Sequence, residues 1–141
     1  MSDESAAVTV FFYGLFMDPD VLRQKGADPK GLRLACVEEY GLRIGERATL
    51  EASEGEQVFG SVMSLTAEEL EHLYAEKSVA DYVPVNLTAT VPEGDRIEAV
   101  SYILPMELVS GRNPEYARAL LSVAEKIGLP ENHLRTIKKW I

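Results

Sequence analysis

Glu76 is the side chain of this sequence best placed for proton-transfer chemistry. It lies in ELEHLYAEKSVADY, where a segment patterned as a helix comes to its end. The negative end of a helix dipole opposes a charged carboxylate there, and partial burial would oppose it further. A carboxylate in such surroundings can work as a general base. The plainer alternative is a surface residue paired with a neighbouring lysine. Little else belongs to standard catalytic machinery. His72 and His133 sit in helical segments among charged neighbours, which predicts solvent exposure for both. No Walker loop, dinucleotide fingerprint or His-x-x-x-His pair occurs. Cys36 is the only cysteine, so an internal disulfide and metal sites built on paired thiolates are excluded. In the strand-like run LRLACVEEY it reads as a small buried residue and not as a nucleophile. An enzyme made from this chain must work with a carboxylate, backbone donors and a shaped pocket.

Length and charge narrow the partners. With 141 residues, 46% of them hydrophobic, the chain can build one domain around one core. Its formal charge of −9 is spread along the chain, against the positive footprint that nucleic acid or an anionic membrane requires. The opening MSDESAAVTV is acidic where an export signal carries positive charge. The apolar runs fall well short of the ~20 residues of a membrane span. A cytoplasmic location is expected.

The elements that must position Glu76 follow from pattern. A continuous apolar run at residues 8–13 reads as a buried strand, yet it ends in Leu15-Phe16-Met17 and not in a polar turn. Asp18 reads as an N-cap with Pro19 at the first helical position, and the helix stops near Gly26. LRLACVEEYGLRIGERATLEA reads as strands broken at Gly41 and Gly45. EGEQVFGSVMSL gives a turn and then a strand over 57–65, with Gly60 where a neighbour can approach closely. Thr66 and Glu69 form a capping box, with Leu65 and Leu70 in the staple positions, and this helix runs to about Glu76. DYVPVNLTATV alternates, with Val83, Val85, Leu87, Ala89 and Val91 on one side and Pro84 near an edge. A turn at PEGD leads to a partner strand over 96–104. Asn113-Pro114 caps a long helix whose apolar stripe is Tyr116, Ala119, Leu120, Val123, Ala124 and Ile127, stopped by Gly128. A short helix from Pro130 presents Leu134, Ile137 and Trp140 or Ile141. The sum is a single α+β domain of about six strands with peripheral helices.

In order along nearly the whole chain, these features resemble the γ-glutamylcyclotransferase-like (AIG2-like) family. The matching residues are Phe11-Phe12-Tyr13-Gly14-Leu15, Ala48-Thr49-Leu50, Gly55, Val58-Phe59-Gly60-Ser61-Val62, Glu76, Tyr82, Pro114-Glu115-Tyr116 and Gly128-Leu129-Pro130. The resemblance implies a small mixed β-barrel with helices around it. It also implies conversion of a γ-glutamyl compound into 5-oxoproline and a free amine, with no cofactor and no metal. Glu76 would be the catalytic acid/base. Phe12, Tyr13, Gly14, Leu15, Phe16, Tyr82 and Tyr116 would contact substrate, the 13–15 loop offering backbone N–H groups to the substrate carboxylate or to the developing oxyanion. Asp18 and Asp20 would oppose an anion at the following helix start, which places the donors on the loop. A small γ-glutamyl molecule is the implied partner, with a binding protein that has lost turnover as the alternative. Three positions depart from the family pattern: Leu15 replaces a serine, Lys77 a glycine, and Pro84 stands where many relatives carry an arginine.

Overall fold

The structure is a computed structural model that describes residues 7–77 and 79–141. The acidic segment 1–6, on which the reading against an export signal largely rests, lies outside them. Five strands, β1 (Ala7–Phe12), β2 (Lys30–Ile44), β3 (Ala48–Thr66), β4 (Val83–Thr90) and β5 (Arg96–Ile103), close into a barrel in the order β1-β3-β2-β4-β5. β1 runs antiparallel to β3 and parallel to β5, meeting the latter at Val10 and Val100. A strand flanked on both sides and covered on both faces is apolar throughout, and Val10, Phe11 and Phe12 are all buried.

Five strands stand where about six were expected, because β2 and β3 form one long hairpin. Gly41 lies inside β2 and does not break it. The turn expected around Gly55 is absorbed as a bulge. Glu38 pairs with Gln57 and Tyr40 with Ala52, so residues 53–56 stand opposite Glu39 alone. Glu39 (φ 68°) and Gly55 (φ 83°) take left-handed conformations there, and the Gly55 amide donates to the Glu39 carboxylate at 3.2 Å. The signals of a break were real, but the ladder resumes beyond them. Gly60 meets its expected neighbour: an added Cβ would stand 2.1 Å from the Phe12 carbonyl oxygen. The alternation in β4 holds from Val85 onward, while Val83 is 45% exposed at the strand's start. Pro84 is exposed near the same end, far from the one position, Thr90, where β4 pairs with β2.

The helices begin where their caps predict. Asp18 accepts the Asp20 amide at 2.9 Å and opens α1 (Pro19–Gln24). Thr66 and Glu69 exchange both bonds of a capping box at 2.8 and 3.0 Å ahead of α2 (Ala67–Leu73). Asn113 caps α3 (Pro114–Ile127), which ends at Gly128 in the left-handed region. Its buried face is Ala117, Leu120 and Ala124, whereas Ala119 is exposed, so the stripe is rotated from the expected one. In α4 (Glu131–Lys138), Leu134 and Ile137 are buried as expected.

Two expectations are corrected. Cys36 is half-buried, because it points away from the face occupied by Ala35 and Val37, and its thiol lies 3.5 Å from the Gln57 amide oxygen. His72 is exposed, but His133 is only 2% exposed. Its charged neighbours Glu131 and Arg135 occupy other faces of the helix turn, and the imidazole is directed inward at the Phe59 ring, 5.8 Å away. Burial without a counter-charge pushes its pKa down from 6.5 to about 4.

Two outcomes follow. Between those values the unfolded chain binds a proton that the folded one refuses, so stability falls as pH drops from 6.5 toward 4. His133→Leu should remove about 3 kcal/mol of that acid sensitivity, read from denaturant midpoints across the range; identical pH profiles for the two proteins would disprove it. Gly60→Ala forces a backbone carbonyl to move and should cost about 1–3 kcal/mol in urea unfolding; an unchanged midpoint would show that the strands separate without strain.

Candidate active site

The segment after β1 keeps Tyr13, Met17 and Asp18 buried, so backbone groups there need buried partners. Ser101 donates to the Phe11 carbonyl at 2.9 Å and Ser61 to the Met17 carbonyl at 3.0 Å, both from fully buried positions. The Tyr13 hydroxyl donates to the Tyr102 carbonyl at 2.7 Å. Between these anchors the chain makes one 3-10 turn, Leu15–Met17, closed by the Met17 amide on the Gly14 carbonyl at 3.0 Å. The Leu15 and Phe16 amides open that turn and have no partner within it. The Tyr116 hydroxyl, from the first turn of α3, sits 2.9 Å from where a Gly14 Cβ would stand and within hydrogen-bonding reach of the Leu15 backbone. Only glycine leaves that space.

This turn forms one wall of a cavity of about 320 Å³. Tyr74, Tyr82, Tyr102 and Tyr116 project into it beside Phe12 and Phe16. Phe16 meets Phe12 and Tyr74 edge-on at 6.3 and 5.8 Å, and Tyr74 stacks on Tyr102 at 3.9 Å. The apolar side chains after Tyr13-Gly14 thus complete an aromatic wall. Tyr82 donates to the Ala48 carbonyl at 2.5 Å and lies under the Arg47 guanidinium, 6.0 Å from its ring centre. Burial pushes the Tyr82 phenol up to about 12, with Arg47 opposing. Burial likewise raises Tyr13, Tyr74 and Tyr116, each reinforced by neighbouring phenols. All four stay neutral at physiological pH; Tyr13 and Tyr82 donate hydrogen bonds, and the Tyr116 oxygen accepts from the Leu15 backbone.

Glu76 reaches the same cavity, though not from a helix end. α2 stops at Leu73, and Glu76 follows in a turn whose carbonyl accepts the Val79 amide at 3.0 Å. The expected opposition from the helix dipole gives way to an ion pair with Lys25, the residue that closes α1, at 2.9 Å. Both side chains are 38% exposed. The lysine pairing and the cavity position, posed as alternatives from the sequence, hold together. Among the described residues Glu76 is the only carboxylate on the cavity wall and no Ser, Cys or His lies there; the hydroxyls on it belong to tyrosines. Proton transfer is within reach of this wall.

Every site residue expected from the sequence therefore borders one space: Glu76, Phe12, Tyr13, Gly14, Leu15, Phe16, Tyr82 and Tyr116. Asp18 and Asp20 stand outside it, tied to Lys126 of α3 at 2.9 and 2.8 Å. Sequence reasoning missed Lys25, Arg47, Tyr74 and Tyr102. Tyr74, two residues before Glu76, was within reach of the same spacing argument. The two cations looked like ordinary surface charges, and only barrel closure brings them inward.

Among the described residues no cluster of three or more His, Cys, Asp or Glu is arranged to hold a metal, and no helix is long and apolar enough to cross a membrane. No curated protein matches the chain in sequence. Solved structures resemble it in fold. A gamma-glutamyl cyclotransferase superposes with a TM-score of 0.79 at 20% identity, over 96% of this chain and 89% of the other. An uncharacterized protein from Homo sapiens gives 0.75 at 22% identity, over 96% and 88%. YkqA from Bacillus subtilis gives 0.75 at 20%, over 96% of this chain and 54% of its own. At these identities the likeness is one of fold alone. The family model described as gamma-glutamyl cyclotransferase, AIG2-like, matches residues 10–121. The chain belongs to the AIG2-like gamma-glutamyl cyclotransferase family.

Proposed function

We propose that this cavity cyclises a γ-glutamyl compound to 5-oxoproline and releases an amine, with Glu76 as the acid/base. The observation that carries the reading is the meeting of one carboxylate, Glu76, with residues 14–16 on the wall of a single cavity. The substrate's α-amine attacks its own γ-carbonyl, so nucleophile and electrophile arrive on one molecule. Ring closure then needs mainly a bent conformer held in place. That suits a wall on which the described residues include no Ser, Cys or His.

In the reaction the α-ammonium first gives a proton to Glu76. Its freed lone pair forms the C–N bond of the lactam, and the γ-carbonyl oxygen gains negative charge opposite the Leu15 and Phe16 amides. The carbonyl re-forms as the bond to the leaving nitrogen breaks. Glu76 returns its proton to that nitrogen. The ring nitrogen's second surplus proton follows the same route, so the amine departs as an ammonium ion. The aromatic wall would receive the amine's apolar part, and the single domain would act as a soluble cytoplasmic enzyme.

The test is a panel of γ-glutamyl peptides and γ-glutamyl amines monitored for 5-oxoproline. Glu76→Gln should lower release by about 10²–10⁴-fold while folding and ligand binding persist. Binding without release by the native protein would instead identify a non-catalytic member, and release undiminished in Glu76→Gln would remove Glu76 from the chemistry. Gly14→Ala should displace the Tyr116 hydroxyl, the movable end of a side chain. Stability should stay within about 1 kcal/mol while turnover falls by up to about 10²-fold; unchanged turnover would mean that the 14–16 turn does not touch the reacting atoms.

A further inference from the structure

We infer that Lys25 is the residue that recognises the substrate's α-carboxylate, so that the ligands of this cavity are γ-linked α-amino acids with both α-charges free. The inference rests on the cyclase reading for the identity of the head group. A γ-glutamyl head carries an ammonium and a carboxylate on one carbon. The cavity presents the complementary pair, Glu76 and Lys25, 2.9 Å apart and both on its lining.

Without ligand these two charges satisfy each other. Insertion of the zwitterion exchanges one ion pair for two, with the α-ammonium against Glu76 and the α-carboxylate against Lys25. The alternating ring of four charges leaves none of them buried alone, which is the arrangement that makes desolvation tolerable. Both protein charges are 38% exposed, so a ligand can reach between them. The other cation on the wall is committed elsewhere: Arg47 lies over the Tyr82 ring at 6.0 Å and contacts Asp81 at 3.5 Å.

Lys25 is also held at its root. It closes α1, and its amide bonds the Leu22 carbonyl at 3.1 Å, so its ammonium approaches Glu76 from a fixed origin. This assignment divides the labour in the cavity. The lysine takes the carboxylate, leaving the Leu15 and Phe16 amides for the oxygen of the γ-carbonyl. Substrate with a neutral α-carboxamide would keep its ammonium contact and lose its second anchor.

Calorimetric titration with γ-glutamyl benzylamide and with its α-carboxamide counterpart tests the assignment, with 5-oxoproline or its amide followed in parallel. The native protein should bind the carboxylate form ~10-fold or more tightly over the carboxamide. Lys25→Met should bring the two within about twofold by weakening only the carboxylate form, and Lys25→Arg should restore most of the preference. A preference that survives in Lys25→Met, an equal loss for both ligands, or no discrimination by the native protein each overturns the assignment; equal loss would mark Lys25 as a support for Glu76 only. The parallel readout separates the two readings. Discrimination without product release leaves Lys25 as the carboxylate anchor and overturns the cyclase chemistry, whereas release without discrimination does the reverse.

Discussion

The structure depends on how its first strand gets out of the barrel. β1 ends in three buried residues, and its backbone leaves the ladder between Phe12 and Met17, where the buried groups need partners from within the protein. Two hydroxyls take up its carbonyls, Ser101 on Phe11 and Ser61 on Met17, and the Tyr13 hydroxyl ties the stretch to β5 through the Tyr102 carbonyl. Gly60 lets the neighbouring strand lie against the Phe12 carbonyl at a distance no side chain permits. The exit is therefore anchored at both ends, and the residues of the turn between them line a cavity, with the Tyr116 hydroxyl against the Leu15 backbone.

Everything else on the cavity wall is referred to that exit. Tyr116 reaches it from α3 and occupies the volume that Gly14 leaves vacant. Phe16 extends the aromatic series Phe12–Phe16–Tyr74–Tyr102, which joins the exit to the stretch that carries Glu76. Burial keeps the phenols neutral, so the charges available at this wall come from Glu76, Lys25 and Arg47.

Much of this was legible in the sequence, for a physical reason. Caps and close approaches are local: Thr66 with Glu69, Asp18 with Pro19, Asn113 with Pro114, and Gly60 in its strand each announce themselves within four residues. The β2–β3 hairpin was harder, because a turn signal at Gly55 cannot show whether the ladder resumes beyond it. His133 misled because sequence neighbours are not face neighbours, and Glu131 and Arg135 describe a different side of the helix. Lys25 was invisible for a third reason. It is 51 residues from its partner Glu76, and nothing near it in the chain distinguishes it from any solvated lysine.

The departures from the family pattern take on a different weight in three dimensions. Leu15 gives up a hydroxyl but keeps its amide, and the Tyr116 hydroxyl stands beside that amide. Pro84, where the resemblance implies an arginine, is exposed near the start of β4, and in this chain a guanidinium covers the strand tyrosine. It comes from Arg47, in the turn between β2 and β3, and lies over Tyr82. What this chain shares with the solved structures at about 20% identity is the fold, and within that fold the cation over the strand tyrosine is supplied here by the β2–β3 turn.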